Sequence, residues 1–259
     1  MNWLRLTAIL FLLPFLVRAE TYEAFDYKSG FTTIQTLGRD IHSLLEPAEK
    51  EIISSQPISL DSSRKPFVRL FYYKDGAETL RGVWVSQGFI DLVNQLAHAK
   101  AIDKKRKGYF AGYLKLLEAG GDSIPPLPDR TNPAYWTDVL LNEQLSNFNS
   151  IMGIVVGINL AQHYLGLYEK YEKDLKAEEN DGVPLNKVIT AEDWGRSYER
   201  GLNNAMLASC MTEGYLPICE GISRMKRRPL WANCFFPEKV RFDTMRKDMV
   251  KLQRKFLND

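Results

Sequence analysis

The segment "IMGIVVGINLAQHYLGLY" (residues 151–168) lies in the longest apolar run after the N-terminal segment and predicts the centre of the fold. Five of its positions recur at spacings of four, three, four and three, so they share one side of an α-helix. They are Ile151, Val155, Ile158, Gln162 and Leu165. Apolar residues from 151 to 158 point in almost every direction, which predicts a core helix. A buried amide without a partner costs about 1–3 kcal/mol, so we expect another polar group to hydrogen-bond Gln162.

Upstream of this helix, two β-branched and aromatic segments flank a short polar turn. "FVRLFYY" (67–73) and "LRGVWVSQG" (80–88) predict strands, and "KDGAE" (74–78) between them predicts a hairpin. Residues 89–103 follow at helical spacing. Residues 54–66 are rich in serine and proline and predict an irregular connector before the hairpin.

Amphipathic helices are predicted near both ends of the chain. The apolar positions of the first helix are Ile34, Leu37, Ile41, Leu44 and Leu45, and those of the last are Met245, Met249, Leu252 and Phe256. Pro47 is expected to end the first helix or begin a new one, because proline in the interior of a helix breaks it.

The middle of the chain contains a segment that looks like an insertion, residues 104–137. Its proline-rich part, residues 122–133, is predicted to be irregular. A long helix is expected from about Trp136 to Lys176, with one possible break near Ser146.

Further helices are predicted towards the C-terminus. Thr190 with Asp193 three residues later is a helix-capping signal. A short helix is predicted at 215–225, followed by an aromatic loop at 228–240. Mostly helix with one short β-hairpin or small sheet indicates an α+β, mostly helical fold.

The N-terminal segment has the three parts of a secretory signal peptide. A positively charged start precedes a 12-residue apolar core, and Val17 and Ala19 stand at the −3 and −1 positions of a cleavage site. A membrane span needs about 20 apolar residues, so we expect cleavage after Ala19 and no stable span afterwards. This predicts a secreted or periplasmic protein with residues 1–19 as signal peptide and residues 20–259 as a single domain.

The chain from residue 20 carries no net charge, because removing two arginines leaves 32 basic and 32 acidic residues. This balance does not favour nucleic-acid binding. Two short basic runs, "KKRK" (104–107) and "RMKRR" (224–228), are interpreted as solvated surface turns, with anionic lipid or a polyanion as the alternative contact.

Three cysteines remain, Cys210, Cys219 and Cys234, too few for a disulfide scaffold. The short connection shaped by Gly214 and Pro217 favours a Cys210–Cys219 bridge across two adjacent helices. A bridge to Cys234 and three reduced, buried thiols are the alternatives.

The order of these elements resembles that of the gluzincin zinc metallopeptidases of the HtpX-like and CAAX-prenyl-protease-like kind. Gly88 looks like the strand-end glycine of that family. Four residues look like the filler positions of its zinc-binding helix: Leu160, Ala161, Tyr164 and Gly166. The resemblance covers roughly residues 67–103 and 138–210, and it implies a zincin-like helical core.

The resemblance places three residues where the family has its HExxH motif, which binds zinc through two histidines and activates water with the glutamate. Ile158 and Gln162 stand at the two histidine positions, and Asn159 stands at the glutamate position. The third zinc ligand of the family corresponds to Glu192 or, less well, to Glu199. We therefore expect Ile158 and Gln162 to face the interior, near the first turn of the helix that begins at about Thr190.

If the motif is aligned one residue later, His163 stands at the second histidine position. The site would then have one zinc ligand and no general base. Isoleucine cannot bind a metal and asparagine cannot act as a base near neutral pH, so we expect a vestigial site with no catalytic residue, metal or cofactor.

The first functional hypothesis is therefore a secreted, catalytically inactive metallopeptidase-like protein that acts by binding an unknown protein or peptide. The second is an active hydrolase with an unrecognised site, using Glu192, Glu199 or His163. The third is a purely structural envelope protein.

Overall fold

The computed structural model of the chain describes residues 27–75, 78–177 and 185–258. Within these residues, helices predominate and three strands form one small sheet. The fold is therefore α+β and mostly helical, as predicted. The predicted signal peptide and its cleavage site after Ala19 lie outside the described residues.

The elements follow the chain in a simple order. The α-helices are α1 Phe31–Ser43, α2 Pro47–Ile52, α3 Gln87–Asp103, α4 Tyr109–Gly120, α5 Asp138–Tyr164, α6 Leu167–Lys170, α7 Glu172–Ala177, α8 Ala191–Leu207, α9 Leu216–Ser223 and α10 Phe242–Asn258. The strands are β1 Ile58–Asp61, β2 Val68–Asp75 and β3 Glu78–Ser86. Short 3-10 helices lie at Pro133–Tyr135, Leu185–Lys187 and Leu230–Cys234.

The predicted hairpin is confirmed, because β2 and β3 pair antiparallel. The prediction of an irregular connector at 54–66 is wrong in part, because residues 58–61 form β1, which pairs parallel with β3 in the order β1-β3-β2. Ile58 is buried and lies in register with Val83. It also packs closely on Gly38 of α1. A four-residue strand among turn residues is stabilised by these neighbours rather than by its own composition.

Several predicted helix boundaries are confirmed. Pro47 begins α2 as a first-turn proline. Thr190 caps α8, its side chain accepting from the Asp193 amide at 3.2 Å. The C-terminal amphipathic helix is α10, with Met245 and Met249 buried.

The prediction of one long helix with a break near Ser146 is wrong. Helix α5 runs unbroken through Ser146 and ends at Tyr164. Gly166 then takes a left-handed backbone conformation, with φ of 68°, before α6 begins. Glycine adopts this conformation without the steric cost of a Cβ atom, so the break lies two residues after α5 ends.

The proline-rich segment is irregular, as predicted, but it is held to the body of the protein. The Tyr109 hydroxyl donates to the Pro128 carbonyl at 2.5 Å, and the Tyr113 hydroxyl donates to the Pro125 carbonyl at 2.9 Å. Both tyrosines belong to α4 and are buried. The interpretation of 104–137 as an insertion remains a prediction.

Candidate functional site

Helix α5 carries the residues for which a resemblance to the metallopeptidase motif was predicted, and it is the central core helix predicted from its pattern. All residues from 151 to 163 are buried. Ile158 is 1% exposed and Gln162 is fully buried. The expectation that both face the interior is therefore confirmed.

Helices α5 and α8 approach each other most closely at two glycines. A Cβ atom on Gly201 would lie 2.5 Å from the backbone nitrogen and Cα of Ile158, and one on Gly157 would lie 2.5 Å from the Gly201 carbonyl oxygen. The two backbones are therefore in contact at Ile158. The prediction that Ile158 lies beside the first turn of α8 is wrong, because Gly201 belongs to the middle of that helix.

Gln162 has the polar partner that its burial requires. Its Nε2 donates to Oδ1 of Asn186 at 2.9 Å, and Nδ2 of Asn186 donates in turn to the Asn233 carbonyl at 3.0 Å. The other atom of the amide, Oε1, accepts no hydrogen bond from the described residues. Gln162 thus links α5 to the segment before α8 and to the aromatic loop.

His163 joins α5 to the sheet. Its Nε2 lies 2.8 Å from the Gly82 carbonyl oxygen in β3, so Nε2 carries the hydrogen and Nδ1 is a bare acceptor. Nδ1 is buried and has no hydrogen-bond partner in the described structure. Burial lowers the pKa of His163 to about 4, against a smaller raising effect of the Gly82 hydrogen bond. The imidazole is therefore neutral near pH 7.

This buried imidazole predicts acid destabilisation. The pKa of His163 is lower in the folded protein than its ordinary value of 6.5. The contribution of the neutral imidazole to the free energy of unfolding is therefore complete above pH 6.5 and is lost as the pH falls towards 4. We expect His163→Gln, whose amide can still donate to Gly82, to reduce the loss of unfolding free energy between pH 7 and pH 4.5 by about 2 kcal/mol. Urea unfolding at both pH values measures this. His42→Gln, at a partly exposed histidine, is the control, and equal pH dependence of His163→Gln and wild type would contradict the prediction.

The remaining motif positions do not complete a zinc site. Nδ2 of Asn159 donates to the Val155 carbonyl one turn earlier, at 2.8 Å, so its amide is used within α5. Glu192 is exposed at the start of α8, and Glu199 is exposed two turns further on. The structure buries Ile158, Asn159, Gln162 and His163 and leaves both glutamates at the surface.

The three histidines occupy three separate places. His42 lies beside the Ile53 carbonyl and His163 beside that of Gly82. Nε2 of His98 donates to the Tyr135 carbonyl at 2.7 Å. Across residues 27–75, 78–177 and 185–258, no group of three histidine, cysteine or acidic side chains is arranged to hold a metal ion. The residues at the motif positions therefore do not fit a zinc ion.

The predicted disulfide is wrong, because all three cysteines are free and buried. Sγ of Cys210 packs against Gly153 of α5, whereas Cys219 contacts the Tyr215 side chain and Cys234 contacts the Val68 backbone. Burial raises the pKa of Cys210 and Cys234 to about 12 and raises that of Cys219 as well. These thiols stay protonated and behave as small core residues.

A buried polar cluster that the sequence analysis did not predict ties the start of the described chain to two core helices. Nε2 of Gln144 in α5 lies 2.7 Å from Oδ1 of Asn94 in α3 and 2.8 Å from Oγ of Ser29. Nδ2 of Asn94 donates to the Ser29 carbonyl at 2.9 Å. Its side chains are mutually satisfied, so the cluster is structural.

A surface groove of about 600 Å³ lies between α8 and the C-terminal half of α10. Its apolar lining consists of Leu165, Met206, Leu252 and Phe256, and its polar lining includes Arg196, Glu199, Arg200 and Lys255. Arg200 is bound to Glu46 and Glu49 at 2.7 Å, so its charge serves the attachment of α2. The groove is distinct from the buried motif positions.

Comparison of the chain with protein-family models, with curated proteins and with solved structures found no match. Among the described residues, none of the helices combines the length and the apolar character that a membrane crossing requires.

Proposed function

We propose that this protein is a catalytically inactive relative of the gluzincin metallopeptidases, exported from the cytoplasm, that acts by binding a protein or peptide. The proposal rests on the resemblance in the order of elements and in the filler residues of α5. The claim of catalytic inactivity rests on one observation, the contact between the Ile158 backbone and Gly201. An isoleucine, which cannot bind a metal, stands at the first histidine position, and its backbone is in contact with α8.

The hydrogen bonds of the other motif residues support the same proposal. Gln162 binds Asn186 and His163 binds Gly82, so each side chain has a structural partner that a zinc ion would have to replace. Neither residue is accessible to a substrate, since both are at most 1% exposed. The binding function would accordingly use the outer surface of the molecule instead of a cleft at the motif.

Metal content and hydrolytic activity test this proposal. We expect the purified chain, incubated with zinc and dialysed, to retain less than stoichiometric metal and to cleave nothing in a broad peptidase and esterase screen. Stoichiometric zinc that is lost in both His163→Ala and His163→Gln would overturn the inactive assignment. Two variants are needed because His163→Ala also removes the hydrogen bond to Gly82, whereas glutamine can keep it.

The hydrolase hypothesis instead predicts that the chain cleaves a substrate in the same screen. Activity that disappears in Glu192→Gln or Glu199→Gln would replace the binding proposal with that of an enzyme. Both glutamates are exposed, so these substitutions leave the core unchanged. Glu51→Gln, at an exposed glutamate of α2, is the matched control for a change of surface charge.

A further inference from the structure

Helix α10 is fixed to the body of the protein by one of its faces. Met245 and Met249 are buried in the core. The Tyr198 hydroxyl of α8 donates to Oδ2 of Asp248 at 3.0 Å, and Oε1 of Gln253 accepts from the Thr212 amide at 2.9 Å. These contacts set the rotation of the helix about its axis, so the opposite face points outwards.

The outward face is strongly basic. Four exposed cations lie on it and border one shallow depression of about 560 Å³: Arg246, Lys247, Lys251 and Arg254. We call these four residues the basic face. The structure gives none of them an ion pair with another described residue. Asp243 is the one carboxylate bordering the same depression.

The basic face continues onto the neighbouring loop. A second depression shares Asp243 with the first and is bordered by three cations, Lys226, Arg228 and Arg241, and by Glu238. Residues 224–259 contain 11 lysines and arginines and 4 aspartates and glutamates, whereas residues 20–223 contain 21 and 28. A chain without net charge from residue 20 onwards thus concentrates its positive charge at one end. Such segregation favours an anionic partner.

Two apolar side chains interrupt the basic face. Val250 lies among the four cations and is partly exposed, and Leu257 in the last turn of α10 is 62% exposed. Apolar groups among lysines and arginines can enter the boundary between headgroups and acyl chains while the cations contact the headgroups. A nucleic-acid backbone offers phosphates but no apolar layer for Leu257.

From this combination we propose that the basic face of α10 docks the protein on an anionic phospholipid surface, as a peripheral contact without a membrane span. The proposal does not depend on the metallopeptidase relationship. Each lysine or arginine near an anionic bilayer strengthens binding roughly five-fold. The contact would weaken with salt, because exposed charges are screened.

Co-sedimentation with vesicles tests the proposal. The chain beginning at Glu20 contains all the described residues and omits the N-terminal apolar segment, which would bind bilayers by itself. We expect it to bind vesicles of equimolar phosphatidylcholine and phosphatidylglycerol but not vesicles of phosphatidylcholine alone. The double variant Lys247→Gln/Lys251→Gln should bind roughly 25-fold more weakly.

Two further variants make the test specific. Lys105→Gln/Lys107→Gln removes the same charge from an exposed loop on the other basic run and should keep wild-type binding. Leu257→Gln should weaken binding to the anionic vesicles and leave binding to heparin or duplex DNA unchanged. If the two double variants lose vesicle binding equally, binding depends on net charge alone, and the proposal is overturned. Two results together would assign the basic face to a polyanion instead: stronger binding to DNA or heparin than to vesicles, and no effect of Leu257→Gln on vesicle binding.

Discussion

Gly201→Ala is expected to lower the free energy of unfolding by about 3 kcal/mol, the upper range for an extra methyl group in a tight core contact. The new Cβ atom would lie 2.5 Å from the nitrogen and Cα of Ile158 and 2.6 Å from the carbonyl carbon of Gly157. All three are backbone atoms of a central helix, so neither a rotamer change nor a small side-chain shift can remove the overlap. Helices α5 and α8 would have to separate. Urea or thermal unfolding measures the change.

Gly195→Ala provides the control for this result, because it makes the same chemical change on the same helix. Its Cβ atom would meet Tyr198 at 3.9 Å, an ordinary van der Waals distance. Alanine is a better helix former than glycine by roughly 0.5–1 kcal/mol, so we expect no loss and a small gain in stability. Equal unfolding midpoints for the two variants would show that the helices do not touch at Gly201.

Ile158→Asp is expected to cost on the order of 4 kcal/mol, because it places an unpaired carboxylate in a site that is 1% exposed. Ile158 lies in the core, where its backbone contacts Gly201 of α8. We expect the variant either to unfold at room temperature or to show a strongly raised carboxyl pKa. Circular dichroism and urea unfolding measure the loss.

Val139→Asp introduces the same carboxylate on the same helix and serves as control. Val139 is 70% exposed in the first turn of α5, where a negative charge interacts favourably with the helix dipole. This variant should keep wild-type stability within about 0.5 kcal/mol. If Ile158→Asp unfolds at the same urea concentration as wild type, Ile158 does not face the core.

Both expected effects concern the part of α5 on which the predicted resemblance to metallopeptidases depends. The pattern of α5 alone predicted that Ile158 and Gln162 would be buried, and the structure confirms both. It could not indicate which part of α8 faces them. The resemblance suggested the first turn, near Glu192, whereas the glycine contact puts Gly201 opposite Ile158. Close packing of two helices depends on the pairing of small residues from both, and a periodic pattern on one helix does not contain that information.

The disulfide prediction failed for a related reason. A short connection between two helices made a Cys210–Cys219 bridge geometrically reasonable. The structure instead turns Cys210 onto Gly153 of α5, and Cys219 lies beside Tyr215. Which neighbour a small buried side chain meets is decided by the packing of helices distant in sequence, and burial then keeps the thiols protonated.

Local patterns in the sequence predicted the mostly helical α+β class, the hairpin, the capped start of α8 and the central position of α5. These follow from hydrophobic period, turn chemistry and capping, which act within a few residues of one another. Three features instead follow from long-range packing: residues 58–61 form a strand, Asn186 hydrogen-bonds Gln162, and His163 binds the sheet at Gly82. Each of these depends on partners more than ten residues away, and their positions are fixed only when the core is packed.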